Sequence, residues 1–482
     1  MRTSILSLLL LLVILAGCSP SGRHTLSHRS AEIYPGYAGT VIPYNIAPLN
    51  FAIREGATKY RVRFIAGADS FSISCRQTVD IPLLKWRKLL AAHRGERLIV
   101  RISARRPGGW ETFSDLLFTI SPEAIDPYLA YRLIEPGYTT WGKMGLYQRN
   151  LENFDEQPIV TNDLVDDACI NCHSFRQNDP STMLFHVRKV NPGTVFLRDG
   201  QLSRVNTQTA NMISAGVYPR WHPGGRYVAF STNTTRQNFH SVHTNKVEVY
   251  DMASDIVVYD TQTNRIFSAP QLNSPNHFET FPEWSPDGAY LYYCTAPARP
   301  MPAQYDSLRY DLARLRFDAD AARFASAADT LVRASLTGQS VALARVSPDN
   351  RFVVFCLSHF GTFPIWHREN DLYILRLSDG TVRPMTEINS PESDSYHSFS
   401  SNGRWLVFSS RRADGAYTRP YISYLDPNGT PSPPFLLPQK NPEFYDLSFK
   451  SFNIPELITG PVDVSPTRFA RAVRNPSLRQ AQ

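Results

Sequence analysis

The sequence predicts a mainly β protein of two or more domains that is exported from the cytoplasm. Proline (36 residues) outnumbers glycine (25) in a chain of 482 residues, which favours short strands and turns over long helices. Aromatic residues make up 12% and charged residues 19% of the chain, and this composition excludes a disordered protein. The formal charge of +7 is small for this length and predicts no nucleic-acid partner.

The first residues have the pattern of an export signal. Arg2 precedes an apolar run that is too short to span a membrane, since a spanning helix needs about 20 such residues. Leu15-Ala16-Gly17-Cys18 resembles the bacterial lipobox, whose cysteine is acylated and becomes the mature N-terminus. The resemblance implies a signal peptide over residues 1–17 and lipidation of Cys18. Because no Asp follows Cys18, it also implies an outer-membrane lipoprotein that faces the periplasm of a Gram-negative bacterium.

A tether and a β-sandwich are expected next. Residues 18–32 are polar and are predicted to form the tether. In residues 33–121, apolar and polar residues alternate, as expected for strands with one dry and one wet face. The alternation is clearest at Tyr60, Val62 and Phe64. A segment of about 90 residues with short alternating strands resembles an immunoglobulin- or fibronectin-like sandwich.

Two stretches are predicted to contain helix. Over residues 83–92, Leu83, Trp86 and Leu90 fall on one helical face. From 122 to 190 the alternation breaks, and Ser121-Pro122 is typical of a helix start because proline suits the first turn. Residues 122–190 are therefore predicted to form a short helix-and-loop segment.

Beyond residue 190 the chain repeats a strand–turn–strand unit. Each turn carries Pro-Asp-Gly or a related sequence, in which proline fixes φ and glycine or asparagine accepts a positive φ. The four clearest units are YPRWHPGGRYVAF (218–230), FPEWSPDGAYLYY (281–293), RVSPDNRFVVF (345–355) and HSFSSNGRWLVF (397–408). They resemble the TolB-type β-propeller repeat, W-S-P-D-G-x-x-[LIV]-x-[FY]. The resemblance implies a TolB-like β-propeller over residues 191–482, with six blades expected and five or seven as alternatives.

Residues Cys169-Ile170-Asn171-Cys172-His173 match C-x-x-C-H, the attachment sequence of c-type haem. Two thiols separated by two residues can reach the two vinyl groups of one porphyrin, and His173 can then bind the iron. The motif predicts one covalent haem c, held by Cys169 and Cys172. A Cys169–Cys172 disulfide and a zinc site are the competing explanations.

Met183 and His186 are the candidates for the second iron ligand. Read as a strand, residues 182–188 send Met183 into the core and leave His186 and Arg188 on the other face, where Arg188 could pair with a haem propionate. Read as a helix, Met183 and His186 share a face. His186 is the preferred ligand, and the alternative in which neither residue binds iron stays open.

The whole chain resembles a group of exported lipoproteins that combine a sandwich-like domain, one C-x-x-C-H motif and a TolB-like propeller, sometimes labelled cytochrome c biogenesis proteins. Matching segments are Cys169 to Phe175, Asn178-Asp179-Pro180, Met183 to Arg188 and Asn453-Ile454-Pro455-Glu456. The prediction is a lipid-anchored haem protein that transfers single electrons to a periplasmic or membrane partner, and the sequence leaves open whether it is also an enzyme. The alternatives are a TolB-like envelope binding or scaffold protein with structural or sensory haem, and a haem enzyme or cytochrome maturation factor.

Overall fold

A computed structural model describes residues 23–136, 142–242 and 245–482. Strands contain 50% of the described residues, and helices with 3-10 turns contain 8%, so the predicted mainly β class is confirmed. The predicted signal peptide and the lipidation residue Cys18 lie outside the described residues. Among the helices that the structure describes, none has the length and apolar character needed to cross a membrane.

The chain divides into two compact units. Of the described residues, the first takes in 23–44, 48–122 and 438–444, and the second takes in 45–47, 123–136, 142–242, 245–437 and 445–482. Helices of the described chain are α1 (Leu83–Ala92), α2 (Phe444–Leu447) and α3 (Pro466–Arg474), with 3-10 turns at Asn162–Val165, Tyr305–Ser307, Ala334–Thr337 and Pro364–Trp366.

The first unit contains a seven-stranded and a three-stranded sheet in its described part. Its strands are β1 (Arg23–Ser30), β2 (Ile33–Tyr34), β3 (Val41–Pro43), β4 (Phe51–Ile53), β5 (Tyr60–Ala66), β6 (Asp69–Cys75), β7 (Thr78–Val79), β8 (Arg97–Arg106), β9 (Gly109–Ser114) and β10 (Leu116–Ser121). The apolar residues of β5 are buried and alternate with exposed arginines, as predicted. Helix α1 has the predicted bounds and packs Trp86 edge-on against Phe64, with ring centroids 6.1 Å apart.

Strand β1 lies where a tether was expected. It pairs in parallel with β9 through Arg23, His24, Thr25 and Leu26. Most of its side chains are exposed. A polar strand of this kind has no dry face and therefore no apolar alternation in its sequence.

Six sheets make up the described part of the second unit. Their strands, sheet by sheet, are β11 (Tyr128–Ile134), β12 (Gly145–Asn150), β13 (Glu156–Thr161) and β34 (Ser451–Ile458); β14 (Cys169–Arg176), β15 (Asp179–Arg188), β16 (Gly193–Arg198), β17 (Gln201–Asn206) and β35 (Arg479–Gln480); β18 (Val217–Trp221), β19 (Tyr227–Phe239), β20 (Val247–Asp260) and β21 (Arg265–Phe267); β22 (His277–Trp284), β23 (Tyr290–Pro297), β24 (Asp311–Asp318) and β25 (Arg323–Val332); β26 (Ser340–Val346), β27 (Phe352–Ser358), β28 (Asp371–Arg376) and β29 (Val382–Pro384); and β30 (Asp394–Phe399), β31 (Trp405–Ser410), β32 (Arg419–Tyr424) and β33 (Phe435–Leu436).

The helix-and-loop prediction for residues 122–190 is wrong. The described part of this segment contains strands β11 to β15 and one 3-10 turn. Strand β11 pairs antiparallel with β34, which follows more than 300 residues later, and Tyr131 of β11 packs against Phe452 of β34 with ring centroids 4.9 Å apart. Because the partner of β11 is so distant in sequence, no local hairpin pattern reveals this sheet.

The first strand of five sheets, and β34 in the sixth, contains a β-bulge of the same kind. In β22, Thr280 pairs with Cys294 and Glu283 with Tyr292, so three steps along β22 match two along β23. The extra residue bends the strand and re-aims its side chains. The six bulges lie between Asn171 and Ser174, Val217 and Arg220, Thr280 and Glu283, Ala342 and Arg345, Ser395 and Ser398, and Asn453 and Glu456.

Candidate functional site: a channel with two cavities

The six bulges each hold one residue in the left-handed region of backbone space, which non-glycine residues rarely occupy. These bulge residues are Cys172 (φ 46°), Tyr218 (49°), Phe281 (51°), Leu343 (54°), Tyr396 (45°) and Ile454 (50°). All six line one small space of about 20 Å³, which we call the constriction. The six sheets of the second unit therefore contribute equivalent residues to one narrow point.

A cavity of about 740 Å³, the wide cavity, adjoins the constriction. Its lining includes four of the bulge residues, Cys172, Tyr218, Tyr396 and Ile454. The other side chains are a mixture of apolar, aromatic and polar groups, among them Cys169. Four cationic residues line this cavity, Arg132, Arg188, Lys189 and Arg411, together with one acidic residue, Glu135.

The arginines of the wide cavity are held in different ways. Arg132 is 8% exposed, donates a hydrogen bond to Asn171 Oδ1, and its Nε has no hydrogen-bond partner. Arg411 lies over the Trp366 ring, with its guanidinium carbon 3.4 Å from the ring centroid. Arg188 is exposed at the end of β15. Within the described ranges, neither Arg132 nor Arg188 has a carboxylate within 4.0 Å.

A second cavity, the narrow cavity of about 400 Å³, shares Arg220 and Arg345 with the constriction. Its lining includes the six residues that stand two positions after the bulge residues, which we call the ring residues. They are Ser174, Arg220, Glu283, Arg345, Ser398 and Glu456. The constriction thus separates two cavities along one channel, and equivalent strand positions contribute a layer of side chains to each part.

Ion pairs connect four of the ring residues. Arg220 Nε lies 2.9 Å from Glu283 Oε2, and Arg220 Nη1 lies 3.1 Å from Glu456 Oε1. Arg345 Nη1 lies 3.1 Å from the same Glu283 oxygen. Burial raises the pKa of Glu283, and the neighbouring Arg220 charge opposes that rise. Burial also raises the pKa of Glu456.

The residues of the C-x-x-C-H motif lie in strand β14. Cys169 is partly exposed and Cys172 is buried; both are free thiols, and both line the wide cavity. His173 is 2% exposed and lines the constriction. Burial, and then the charges of Arg132 and Arg220, lower the pKa of His173 to about 3.

The two predicted second ligands lie in strand β15, away from this channel. Met183 is fully buried in an apolar cluster with Phe185 and Val187. His186 is 3% exposed, and its Nδ1 lies 3.2 Å from Thr194 Oγ1. Neither residue lines the wide cavity, the constriction or the narrow cavity.

Comparisons with known proteins give structural similarity alone. No family model matches the chain, and no curated protein sequence matches it. The chain is similar to an oligogalacturonate lyase in complex with manganese (12% identity, 65% of this chain and 74% of that chain, TM-score 0.36). It is also similar to a puromycin hydrolase (12%, 64% and 45%, 0.38), of which it spans less than half, and to the β-propeller domain of the trilobed protease from Pyrococcus furiosus (11%, 86% and 99%, 0.34).

The predictions of a covalent haem c, of electron transfer and of membership in the cytochrome-type lipoprotein group are wrong. No family model and no curated protein sequence supports membership in that group. In the part of the chain that the structure describes, no three His, Cys, Asp or Glu side chains form a group that could hold a metal ion. Without a haem there is no basis for the iron-ligand roles predicted for His173, His186 and Met183. The same holds for the predicted contact of Arg188 with a haem propionate.

The fold supplies another explanation for the backbone of the C-x-x-C-H motif. Cys172 occupies a bulge position that the five other equivalent strands fill with tyrosine, phenylalanine, leucine or isoleucine. His173 follows the bulge where three of those strands have proline, namely Pro219, Pro282 and Pro455. The conformation at these two residues therefore follows from their place in the channel.

The charged ring was not predicted, although the charged residues before the tryptophans of the repeat units indicate it. Arg220 and Glu283 each stand directly before the tryptophan of a repeat unit, and Arg345 stands before Val346, which replaces that tryptophan. An alignment of the repeat units therefore brings these charges together. The cations of the wide cavity have no such signal, because Arg132, Arg188 and Arg411 come from unrelated positions in three sheets or their loops.

Proposed function

We propose that the second unit is a six-bladed β-propeller and that its wide cavity binds an anionic organic molecule. We propose further that the first unit is an immunoglobulin- or fibronectin-like sandwich. Six sheets with the same bulge, and six bulge residues around one constriction, support the blade count. The observation that carries the binding proposal is the excess of cations in the wide cavity, where Arg132 and Arg188 have no ion-pair partner among the described residues.

A cation without a counter-ion favours an anionic ligand. Taking a guanidinium out of water is costly unless an acceptor replaces the lost hydration, and Arg132 is only 8% exposed. A carboxylate, sulfonate or phosphate would supply that acceptor with charge-assisted hydrogen bonds. The pair of cations at Arg132 and Arg188 therefore provides binding free energy that depends on the ligand charge.

The other lining residues and the cavity volume determine the size and the apolar part of the ligand. A volume of about 740 Å³ falls in the range of small-molecule sites, which is about 300–1,000 Å³. Val217, Val249 and Ile365 offer apolar contacts, and the Trp366 and Tyr396 rings offer flat ones. The ligand of this cavity is thus an organic molecule with an apolar body and at least one anionic group.

Two dyes of nearly the same shape test this proposal. 8-Anilinonaphthalene-1-sulfonate carries an anionic group, and N-phenyl-1-naphthylamine is the same molecule without it. The full chain should bind the sulfonate more tightly, as measured by fluorescence titration. Arg188→Gln should weaken sulfonate binding about tenfold, the effect of losing one charge-assisted contact, and should leave the neutral dye unaffected.

The matched control is Arg323→Gln, which removes an exposed arginine on β25 that lines none of the three parts of the channel. A cooperative thermal transition for each variant establishes that the dyes report on folded protein. Equal affinities for the two dyes, or equal losses in Arg188→Gln and Arg323→Gln, would refute the proposal.

We also propose that the protein is held at the outer membrane, facing the periplasm, by acylation of Cys18. The support is the lipobox-like sequence that precedes this residue. Several acyl chains on one residue exceed the single chain that gives only marginal membrane binding. Labelling with a fatty acid should mark the wild-type protein in the membrane fraction and should not mark Cys18→Ala. An unlabelled wild-type protein that is recovered in the soluble fraction contradicts the anchor.

A further inference from the structure

We propose that the narrow cavity is a second binding site of the second unit and that it takes a neutral carbohydrate. It is separate from the anion site of the wide cavity, because the constriction lies between them. The narrow cavity is accessible, its ring residues offer hydrogen-bonding groups, and an aromatic layer lies behind them.

A ligand can reach the narrow cavity from solvent. Its lining includes Gln177 and Ser401, which are exposed, and Pro223, Pro286 and Pro348, which are partly exposed. These residues belong to the turns that follow the bulged strands. The cavity therefore opens between the turns, and its inner end is the constriction.

The ring residues offer donors and acceptors in close alternation. Arg220 lies between the carboxyl groups of Glu283 and Glu456, and Arg345 lies beside Glu283. Each guanidinium supplies several N–H donors, and each carboxyl group supplies acceptor oxygens. Sugar hydroxyl groups both donate and accept, so neighbouring hydroxyls on one ring can bond to an arginine and a glutamate at the same time.

The paired charges select against charged ligands. Each arginine of the ring already has a carboxyl partner at about 3 Å, in contrast to Arg132 and Arg188. An anion would have to compete with Glu283 and Glu456 for these arginines and would meet repulsion from any ionised carboxylate. A neutral ligand can bond to the ring without breaking the ion pairs.

An aromatic layer adjoins the ring residues. The residues one position further along the bulged strands also line the narrow cavity, and they are Phe175, Trp221, Trp284, Val346, Phe399 and Leu457. The Nε1 atoms of Trp221 and Trp284 are buried and have no hydrogen-bond partner. Apolar ring surface suits the C–H face of a pyranose.

Glycan-array binding by the full chain tests the proposal, because one array can carry neutral and acidic oligosaccharides in the same print. Binding to at least one neutral glycan is the expected result, and titration calorimetry with that glycan then gives the dissociation constant. Glu283→Gln and Arg345→Lys should each raise this constant about tenfold, since each loses an ionic or forked hydrogen-bond contact while keeping side-chain size similar.

Arg314→Gln is the matched control. Arg314 is also paired with a carboxylate, Asp329, at 3.2 Å, but it lines none of the three parts of the channel. If a ring variant fails to fold, Ser398→Ala removes one ring hydroxyl without touching an ion pair and should weaken binding as well. The proposal is overturned if no neutral glycan binds, if only acidic glycans bind, or if Arg314→Gln weakens binding as much as the ring variants.

Discussion

The hairpins β14–β15 and β22–β23 reach the same channel with different sequences. Strands β14 and β22 carry the same bulge, with Cys172 and Phe281 at equivalent points. Their turns differ. The first hairpin turns through two residues, Gln177 and Asn178, which both have positive φ as in a type I′ turn, whereas the second uses the longer Ser-Pro-Asp-Gly-Ala loop.

The two hairpins show that the bulge forms with either turn. The bulged strands must bring equivalent side chains to one constriction, whereas the turns lie at the opening of the narrow cavity and vary. The position after the bulge has His173 in β14 and Pro282 in β22, and the next position has Ser174 and Glu283. Substitutions at these positions and in the turns test how far the equivalence holds.

The ring position should give the largest contrast. Glu283→Ala leaves Arg345 without its partner and Arg220 with only Glu456, so we expect a loss of about 3–5 kcal/mol in the free energy of unfolding. Ser174→Ala removes one 3.3 Å contact from Arg220 and should cost about 1 kcal/mol or less. Urea unfolding of both variants measures the difference. Equal losses would mean that Glu283 and Ser174 contribute equally to the free energy of unfolding.

His173→Pro tests the position after the bulge, where proline is common in the other strands. The variant should fold at pH 7 and should be less sensitive to acid. His173 has a folded-state pKa of about 3, below the unfolded value of about 6.5, so the unfolded state takes up a proton first as the pH falls. The wild-type protein therefore loses stability between pH 6.5 and pH 3.

At pH 4 this loss is about 3 kcal/mol from His173 alone, and His173→Pro should lack it. Urea midpoints of both proteins at pH 7 and pH 4 measure the effect. His186→Pro serves as the contrast, because this residue lies inside β15 and proline there removes a ladder hydrogen bond and should prevent folding. An identical pH dependence in wild type and His173→Pro would contradict the prediction.

Two glycines with positive φ differ in the space around them. Gly288 has a φ of +74°, and a Cβ at this position would clash with the His222 imidazole, which cannot move freely because it packs against Trp284. Gly200 has nearly the same φ, +75°, with open space around it. Gly200→Ala should cost about 1 kcal/mol from backbone strain alone, and Gly288→Ala about 2–3 kcal/mol. Thermal unfolding of both variants checks the order, and equal values would show that the clash has no cost.

The two-residue turn should give the smallest effect, and a favourable one. Gln177 has a φ of 46°, where asparagine is better tolerated than glutamine. Gln177→Asn should raise the free energy of unfolding by about 0.5 kcal/mol. Gln262→Asn provides the comparison, since residue 262 does not have a positive φ. A stability gain in both variants would point to a cause other than the turn.

Prediction from the sequence succeeded where local patterns decide the structure. The alternation in β5, the apolar face of α1 and the Pro-Asp-Gly turns each depend on neighbours within about a dozen residues. It failed for β11, whose partner is β34, and for β1, whose exposed residues give no alternation. It also missed β14, because its turn lacks the repeat motif and its bulge residues matched another motif.

The site was less accessible to sequence reasoning than the fold. C-x-x-C-H is a strong chemical pattern, but Cys172 and His173 occupy positions that the other bulged strands fill with unrelated side chains. The channel arises from six strands, and only their three-dimensional alignment identifies the constriction. The charged ring was within reach through the repeat units, whereas Arg132 and Arg188 meet only in the folded chain.

Strand β34 has a consequence for the order of events in folding. It completes the sheet of β11, β12 and β13, with Tyr128 opposite Ile458. Bringing these residues together closes a loop of about 330 residues, whose entropic cost must be met before the paired strands gain stability. During synthesis, β11 emerges long before its partner, so its sheet stays one strand short until almost the whole chain is available.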